Sequence, residues 1–384
     1  MNNNLSYVSL FSSAGVGCYG FLQEKYDCVA TCELIPRRLK VQEFNKVCTE
    51  VSGYIPGDLT ADEIKEKIFN EIKKWNHKHT DIDVIIATPP CQGISVANLK
   101  KKNELARNSL VVESIKLTLQ IKPKVFVYEN VRGFLKAVCT DINGQDKPIR
   151  DAIDNNLSKY YNISYEIINF KDYGSPSSRT RTLVIGVRKG LINVLPKDLF
   201  PSRQKEITVR ETIGDLQALN FGEISDTDIY HNFRVYPEYM IDWIEDLKEG
   251  ESAFSHNDPE KIPHRFVNGV KVFNKKKSGD KYKRWFWDRP GPCIHTRNDQ
   301  LASQNTIHPR DNRVFSIREL MRLMSIPEEF YWTAETLDEL NSLPIDKKRS
   351  ILKKNEMNIR QCIGEAVPTI IFRQIAYNIK KYFL

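Results

Sequence analysis

Asp83-Val-Ile-Ile-Ala87, followed at once by Thr88-Pro89-Pro90-Cys91-Gln92-Gly93, is the stretch on which the reading of this chain turns. The apolar run is short, rich in β-branched residues and does not alternate with polar ones. It therefore predicts a strand buried on both faces, as in a parallel sheet covered by helices. Two prolines end it and stiffen the exit of the chain. Working outward, Tyr7–Phe11, Cys28–Cys32 and Lys124–Tyr128 are further short apolar runs, and Tyr165–Asn169 and Thr182–Val187 follow later. Between them, Ala61–Trp75 carries Ile64, Ile68 and Ile72 four apart, and Leu110–Gln120 is patterned as a helix. Strands alternating with amphipathic helices predict a doubly wound α/β fold with a mostly parallel sheet. Ligands of such sheets lie beyond the carboxyl ends of the strands. That singles out the small-residue turn after Phe11, Glu33 after Cys28–Cys32, Cys91 after Asp83–Ala87 and its prolines, and Glu129 after Lys124–Tyr128.

The bulk numbers allow this fold and narrow the classes. The chain has 384 residues, 41% hydrophobic and 28% charged, which suits a globular protein with one large core and a smaller second domain. No run of 18 apolar residues predicts a membrane span, and the start lacks the basic-then-apolar order of a signal peptide, so a cytoplasmic location is expected. The eight cysteines are dispersed, with no C-x-x-C pair and no zinc-finger spacing, so reduced thiols and no metal are expected. A net charge of +8 fits a polyanionic partner, although many proteins without one are as basic. From about residue 200 the periodicity weakens. Lys271–Arg289 interleaves basic and aromatic residues, which suits phosphate contact and base stacking, although Lys275-Lys276-Lys277 alone reads as a solvated face. A helical pattern returns over Ser316–Phe330, Asp346–Lys354 reads as a solvated helix or linker, and Ile363–Ile379 reads as a turn and a helix.

Three groups could share one chemistry. Cys91 at a strand end can act as a nucleophile, whereas an arbitrary cysteine is usually a buried small hydrophobe. Glu129, in Glu129-Asn130-Val131, can hydrogen-bond or protonate a ring as it is attacked. Arg179 and Arg181, at spacing two, point the same way on an extended chain and can hold a carbonyl oxygen or a phosphate. Methylation at C5 of cytosine needs all three. A thiolate added to C6 makes C5 nucleophilic, a carboxylic acid at N3 and an arginine at O2 stabilise the charge that develops, and a duplex target must be flipped out of its stack.

The ordered series resembles the DNA cytosine-C5 methyltransferase family over nearly the whole chain. Ser9-Leu-Phe11-Ser-Ser13-Ala-Gly15, then Gly20-Phe21, is similar to the first cofactor motif, with Ser13 and Val16 at two glycine positions; a shift of two residues uses Gly15 and Gly17 instead. Pro89-Pro90-Cys91-Gln92, Arg107-Asn108-Ser109-Leu110, Glu129-Asn130-Val131, Arg179 with Arg181, Ser316–Leu320 with Ile326-Pro327, and Ile363-Gly-Glu365-Ala366-Val-Pro368 follow in the family's order. Ser177 stands where the family has Gln, and Glu365 where it has Asn. The resemblance implies a Rossmann-like methyltransferase sheet over residues 1–194, a smaller irregular target-recognition domain over 195–315, and a bracing helix and returning segment over 316–384. It implies Cys91, Glu129, Arg179 and Arg181 as catalytic residues. It implies S-adenosylmethionine as donor, with S-adenosylhomocysteine as product, held by Phe11, Ala14, Gly15, Gly17, Glu33, Asp58, Leu59, Pro90, Glu365 and Ala366. Duplex DNA is the partner expected, in the prokaryotic cytosol or nucleoid, with a restriction endonuclease acting on the same site without direct contact and no membrane. Two other readings stay open. A tRNA-methylating branch of the family typically carries Cys-Phe-Thr, which does not occur here, and a catalytically silent DNA-binding relative is expected to have lost PPCQ or ENV, both of which are intact.

Overall fold

A computed structural model describes residues 4–77, 81–90, 104–191, 194–220, 222–233, 235–273 and 278–384. The chain divides into two units: residues 1–173 with 180–204 and 367–384, and residues 174–179 with 205–366.

The first unit is built on β1 (Ser6–Leu10), α1 (Tyr19–Gln23), β2 (Asp27–Glu33), α2 (Pro36–Phe44), β3 (Tyr54–Pro56), α3 (Asp62–Asn76), β4 (Val84–Ala87), α4 (Glu104–Asn108), α5 (Leu110–Ile121), β5 (Val125–Val131), the small hairpin β6 (Val138–Thr140) and β7 (Asp146–Pro148), α6 (Ile149–Leu157), β8 (Tyr161–Asn169) and β9 (Thr180–Arg188). The C-terminal helix Thr369–Phe383 returns to it. Seven strands form one sheet in the order β3-β2-β1-β4-β5-β9-β8. The pairs from β3 through β5 are parallel, and β9 runs antiparallel to both β5 and β8. The mixed α/β, mostly parallel sheet read from the sequence is present.

The unbroken apolar run of β4 has a physical cause. Its side chains alternate between two separate cores, one on each face of the sheet. Val84 and Ile86 join Tyr7, Val125, Val127 and the C-terminal helix residues Ile371, Phe372, Ile375 and Ile379. Ile85 joins Leu10, Phe126, Tyr128, Ile115 of α5, and Ile64, Ile68 and Ile72 of α3. The chain passes from β1 out through β2 and β3, then back across β1 to β4. The strand order thus reverses between β1 and β4, and sheets of this kind take their ligands beyond the carboxyl ends at such a point.

Several boundaries differ from the sequence reading. β5 continues through Glu129-Asn130-Val131 because β9 keeps pairing with it, Glu129 opposite Leu183 and Val131 opposite Arg181. β9 takes in Arg181 but not Arg179, which falls in the second unit.

The second unit carries α7 (Val209–Ile213), α8 (Tyr239–Asp242), the hairpin β10 (His264–Val267) and β11 (Val270–Phe273), α9 (Ile317–Leu323), α10 (Leu337–Ser342) and α11 (Ile345–Glu365). The helix expected over Ser316–Phe330 stops at Leu323, and Ser325 then takes a left-handed backbone. The charged stretch Asp346–Lys354 belongs to a helix of 21 residues. An apolar cluster around Trp243, Ile244, Tyr282 and Ile307 is joined by buried arginines. Arg284 alone donates to the carbonyls of Ile244, Leu247, His308, Arg310 and Asp311 and to Asn312 Oδ1. Arg313 bridges Asp311 and Glu319, and Ser316 and Glu319 close a capping box at the start of α9.

Candidate active site

The register of β5 on β9 explains how an acid and a base meet. Glu129 lies opposite Leu183, so Arg181 is its diagonal neighbour on the same face, within reach of a long side chain. Arg181 Nε sits 3.1 Å from Glu129 Oε1, with the two side chains only 15% and 8% exposed. The next residue works on the neighbouring strand end: Asn130 donates from Nδ2 to the carbonyl of Pro89 at 2.8 Å, while its Oδ1 accepts from the Val131 N–H. Thr88 donates from Oγ1 to the Phe11 carbonyl at 2.8 Å, so the ends of β4 and β1 are also tied. The chain leaves this anchored point through a buried Pro89 and an exposed Pro90 toward Cys91, which lies outside the described residues.

Arg179 is placed elsewhere. Its guanidinium donates to the carbonyls of Ile294, Gly364 and Glu365, at 2.8, 3.1 and 3.2 Å. The last two belong to the final turn of α11, whose carbonyls have no partner within the helix and carry the negative end of its dipole. The two arginines therefore do not address one acceptor together: Arg181 pairs with Glu129 in the first unit, and Arg179 caps a helix in the second.

On the β1 and β2 side, the turn after β1 is held in an unusual backbone. Phe11 and Ser13 have φ of 58° and 49°, and Gly15 has 76°. Glu33, buried at the end of β2, accepts from the Ser13 N–H at 2.9 Å through one oxygen and from the Ile35 N–H at 3.1 Å through the other, with Arg38 3.6 Å away. A carboxylate has about four acceptor sites, so a carboxylate fixed in this way still has capacity for a vicinal diol. That donor set, a pinned acid beside a small-residue turn at the sheet's switch point, fits the nucleoside half of S-adenosylmethionine.

The other expected contacts are distributed unevenly. Ala14 is buried in the same turn. Gly17 faces Phe372 and Val367; a Cβ there would lie 3.0 Å from the Phe372 ring, so this glycine serves the packing of the C-terminal helix. Asp58 is exposed and accepts from the N–H and hydroxyl of Thr60, and Leu59 is buried in the core. Glu365 ends α11, exposed, with Ala366 buried after it, both in the second unit. Burial pushes the thiols of Cys18 and Cys32 up to about 12 and that of Cys139 up to about 11, which makes them poor nucleophiles at neutral pH. Among the described residues no group of three or more His, Cys, Asp or Glu could hold a metal ion, and no helix is long and apolar enough to cross a membrane.

The family model described as "C-5 cytosine-specific DNA methylase" matches residues 5–381. The chain belongs to the C-5 cytosine-specific DNA methylase family. As a member it is a DNA (cytosine-5)-methyltransferase, and the family takes its methyl group from S-adenosylmethionine. This methylase is 32% identical to the type II methyltransferase M1.HgaI of Avibacterium volantium, covering 99% of both chains. It is 26% identical to M1.HphI of Haemophilus parahaemolyticus, over 98% of this chain and 87% of the relative. Among solved structures, a DNA modification methyltransferase encoded in an E. coli prophage matches with a TM-score of 0.65 and 19% identity, covering 99% of each chain. The S. pombe Dnmt2 methyltransferase matches at 0.57 and 12%, over 98% and 99%; at these identities the likeness concerns the methylase fold alone.

Motif reading missed three positioning side chains. Thr88 and Asn130 were in view as motif members, but their ties to Phe11 and Pro89 depend on neighbouring strands. Gln42 is fully buried on α2. The sequence carries little signal for it, because α2 is short and mostly polar, with Leu39 and Val41 its only other buried residues.

Proposed function

We propose that this enzyme methylates cytosine at C5 within a specific short sequence of duplex DNA, through a transient bond between Cys91 and C6 of a flipped base. The observation that carries the reading is the buried Arg181–Glu129 contact of 3.1 Å, one residue away from the Asn130 amide that fixes the chain entering Cys91. The Cys91 thiolate adds to C6 while Glu129, carrying a proton once the base is bound, donates it to a hydrogen bond with N3, so that the negative charge pushed into the ring is stabilised. Arg181 orients the Glu129 carboxyl and offers its remaining N–H groups to O2. Asn130 and Thr88 keep the Cys91 approach in register. The bound cofactor supplies an electrophilic methyl group to C5. A base then removes the C5 proton, and the electron pair of that C–H bond expels the sulfur.

Glu33, Phe11, Ala14 and Gly15 hold the cofactor in this reading, with Asp58, Leu59 and Pro90 around the adenine and methionine ends. Arg179 acts by positioning the end of α11. The second unit recognises the target sequence. Its basic and aromatic stretch contributes less than composition suggested, because Tyr282 and Arg284 are buried and Trp285 donates to the Pro290 carbonyl; Lys275, Lys276 and Lys277 lie outside the described residues. The named relatives are type II methyltransferases, which supports a protective role beside a restriction endonuclease that cuts the same sequence. The test is transfer of labelled methyl from S-adenosylmethionine to duplex DNA and to tRNA offered side by side, followed by bisulfite sequencing of the DNA. Label in 5-methylcytosine at one recurring DNA sequence is expected. Label confined to tRNA, or absent from both, overturns the reading.

A further inference from the structure

The geometry points to Gln42 as the residue that presets the cofactor turn of this enzyme, in place of the glycine that the turn lacks. The inference rests on reading the Phe11–Gly15 turn as the cofactor site, and all of it lies within the first unit. Ser13 holds φ at 49°, a left-handed backbone that costs a residue with a Cβ and costs glycine almost nothing. Something must hold it there. The Gln42 side chain, fully buried, donates from Nε2 to the Ser13 carbonyl and to Ser12 Oγ, both at 2.8 Å. Its orientation is set in turn by Thr31 of β2, whose hydroxyl lies 3.0 Å from Gln42 Oε1 and 2.6 Å from Ser12 Oγ. On the other side of Ser13, its N–H is held by Glu33 Oε2 at 2.9 Å.

Ser13 is therefore gripped at both ends of one residue: its N–H by the acid read as the ribose ligand, its carbonyl by Gln42. The same side chain also sets the room available to the next part of the turn. A Cβ on Gly15 would come within 2.8 Å of Gln42 Cγ. Loss of the Gln42 amide should let Ser13 relax toward an ordinary backbone and carry Glu33's partner away from it. Cofactor binding then has to restore the turn, so affinity falls while the chemical step at saturating cofactor does not.

The test is calorimetric titration of S-adenosylhomocysteine into the full chain without DNA. Gln42→Met, similar in volume and lacking the amide, is expected to weaken binding about tenfold, the size of one left-handed residue's penalty. In a Ser13→Gly background, where the left-handed backbone needs no tether, the same substitution is expected to cost less than about threefold. In turnover, KM for the cofactor should rise with kcat unchanged. Affinity within threefold of wild type for Gln42→Met, or an equal loss in both backgrounds, overturns the inference, the latter because it marks a general packing role. If Gln42→Met does not fold, Thr31→Val, which keeps the β-branched shape but frees the amide, should weaken binding severalfold; unchanged affinity there also overturns it. If the wild-type chain binds no cofactor at all, the reading of the turn itself falls, a result distinct from any of these.

Discussion

Replacing Glu129 by Gln keeps the shape of the β5 end and removes one charge from a pair that water barely reaches. Arg181 Nε is 3.1 Å from the carboxylate, and the two side chains are 15% and 8% exposed. The variant takes the counter-charge from a close, mostly buried ion pair and leaves the guanidinium without it. Glu129→Gln is therefore expected to lower stability by about 1–3 kcal/mol and the single-turnover methylation rate by about 10²–10³, as for removal of one preorganised transition-state partner. Affinity for duplex DNA should stay within a few-fold. The pair is then tested as a unit with Arg181→Gln and the double variant. If the two side chains act on one ring together, the double variant is about as slow as the slower single one, with a coupling of about 1–2 kcal/mol. Rates come from rapid quench of preformed enzyme–DNA–cofactor complexes, and stability from urea unfolding. A Glu129→Gln rate within threefold of wild type, or strictly additive losses, would refute the reasoning.

Asn130→Ala releases the Pro89 carbonyl and should slow methylation about tenfold while cofactor affinity, by calorimetry, is unchanged. Glu319→Gln leaves Arg313 buried with a weaker partner and should cost about 3–5 kcal/mol in the urea transition of the second unit. His308 accepts the N–H groups of Arg310 and Asp311 at Nδ1, and burial pushes its pKa down to about 4. The unfolded chain thus takes up this proton first, so the contribution is full above the unfolded value near 6.5 and is lost as pH falls from there to about 4, on the order of 3 kcal/mol. Urea midpoints at pH 7.5 and pH 4.5 should show this drop, and His308→Gln should flatten it.

How much of this was legible depended on where the chain hides its polar groups. The central strands were readable because Val84-Ile-Ile-Ala87 is apolar on both faces, and both faces are covered. The end of β5 was not, since Glu129 and Asn130 read as loop residues, and only pairing with β9 keeps them in the strand. The motif residues around Glu33 and Glu129 were legible, while the split between Arg179 and Arg181 was not. Spacing two implies a shared direction only if both residues are extended, and β9 begins between them. The second unit resisted most. Its interior is organised by Arg284, Arg313, Arg318 and Arg360, all buried, and hydropathy scores such residues as surface. The same effect hid α11, whose buried positions include Lys348, Glu356 and Arg360.

The bond between sulfur and pyrimidine can be trapped directly. A duplex carrying 5-fluorocytosine at the methylated position has no C5 proton to lose, so the enzyme, incubated with S-adenosylmethionine, should remain joined to the DNA. Mass spectrometry of the digested complex should then find the nucleotide on the peptide containing Cys91, and Cys91→Ser should form no adduct. An adduct on another cysteine, or full methyl transfer by the serine variant, would contradict the mechanism.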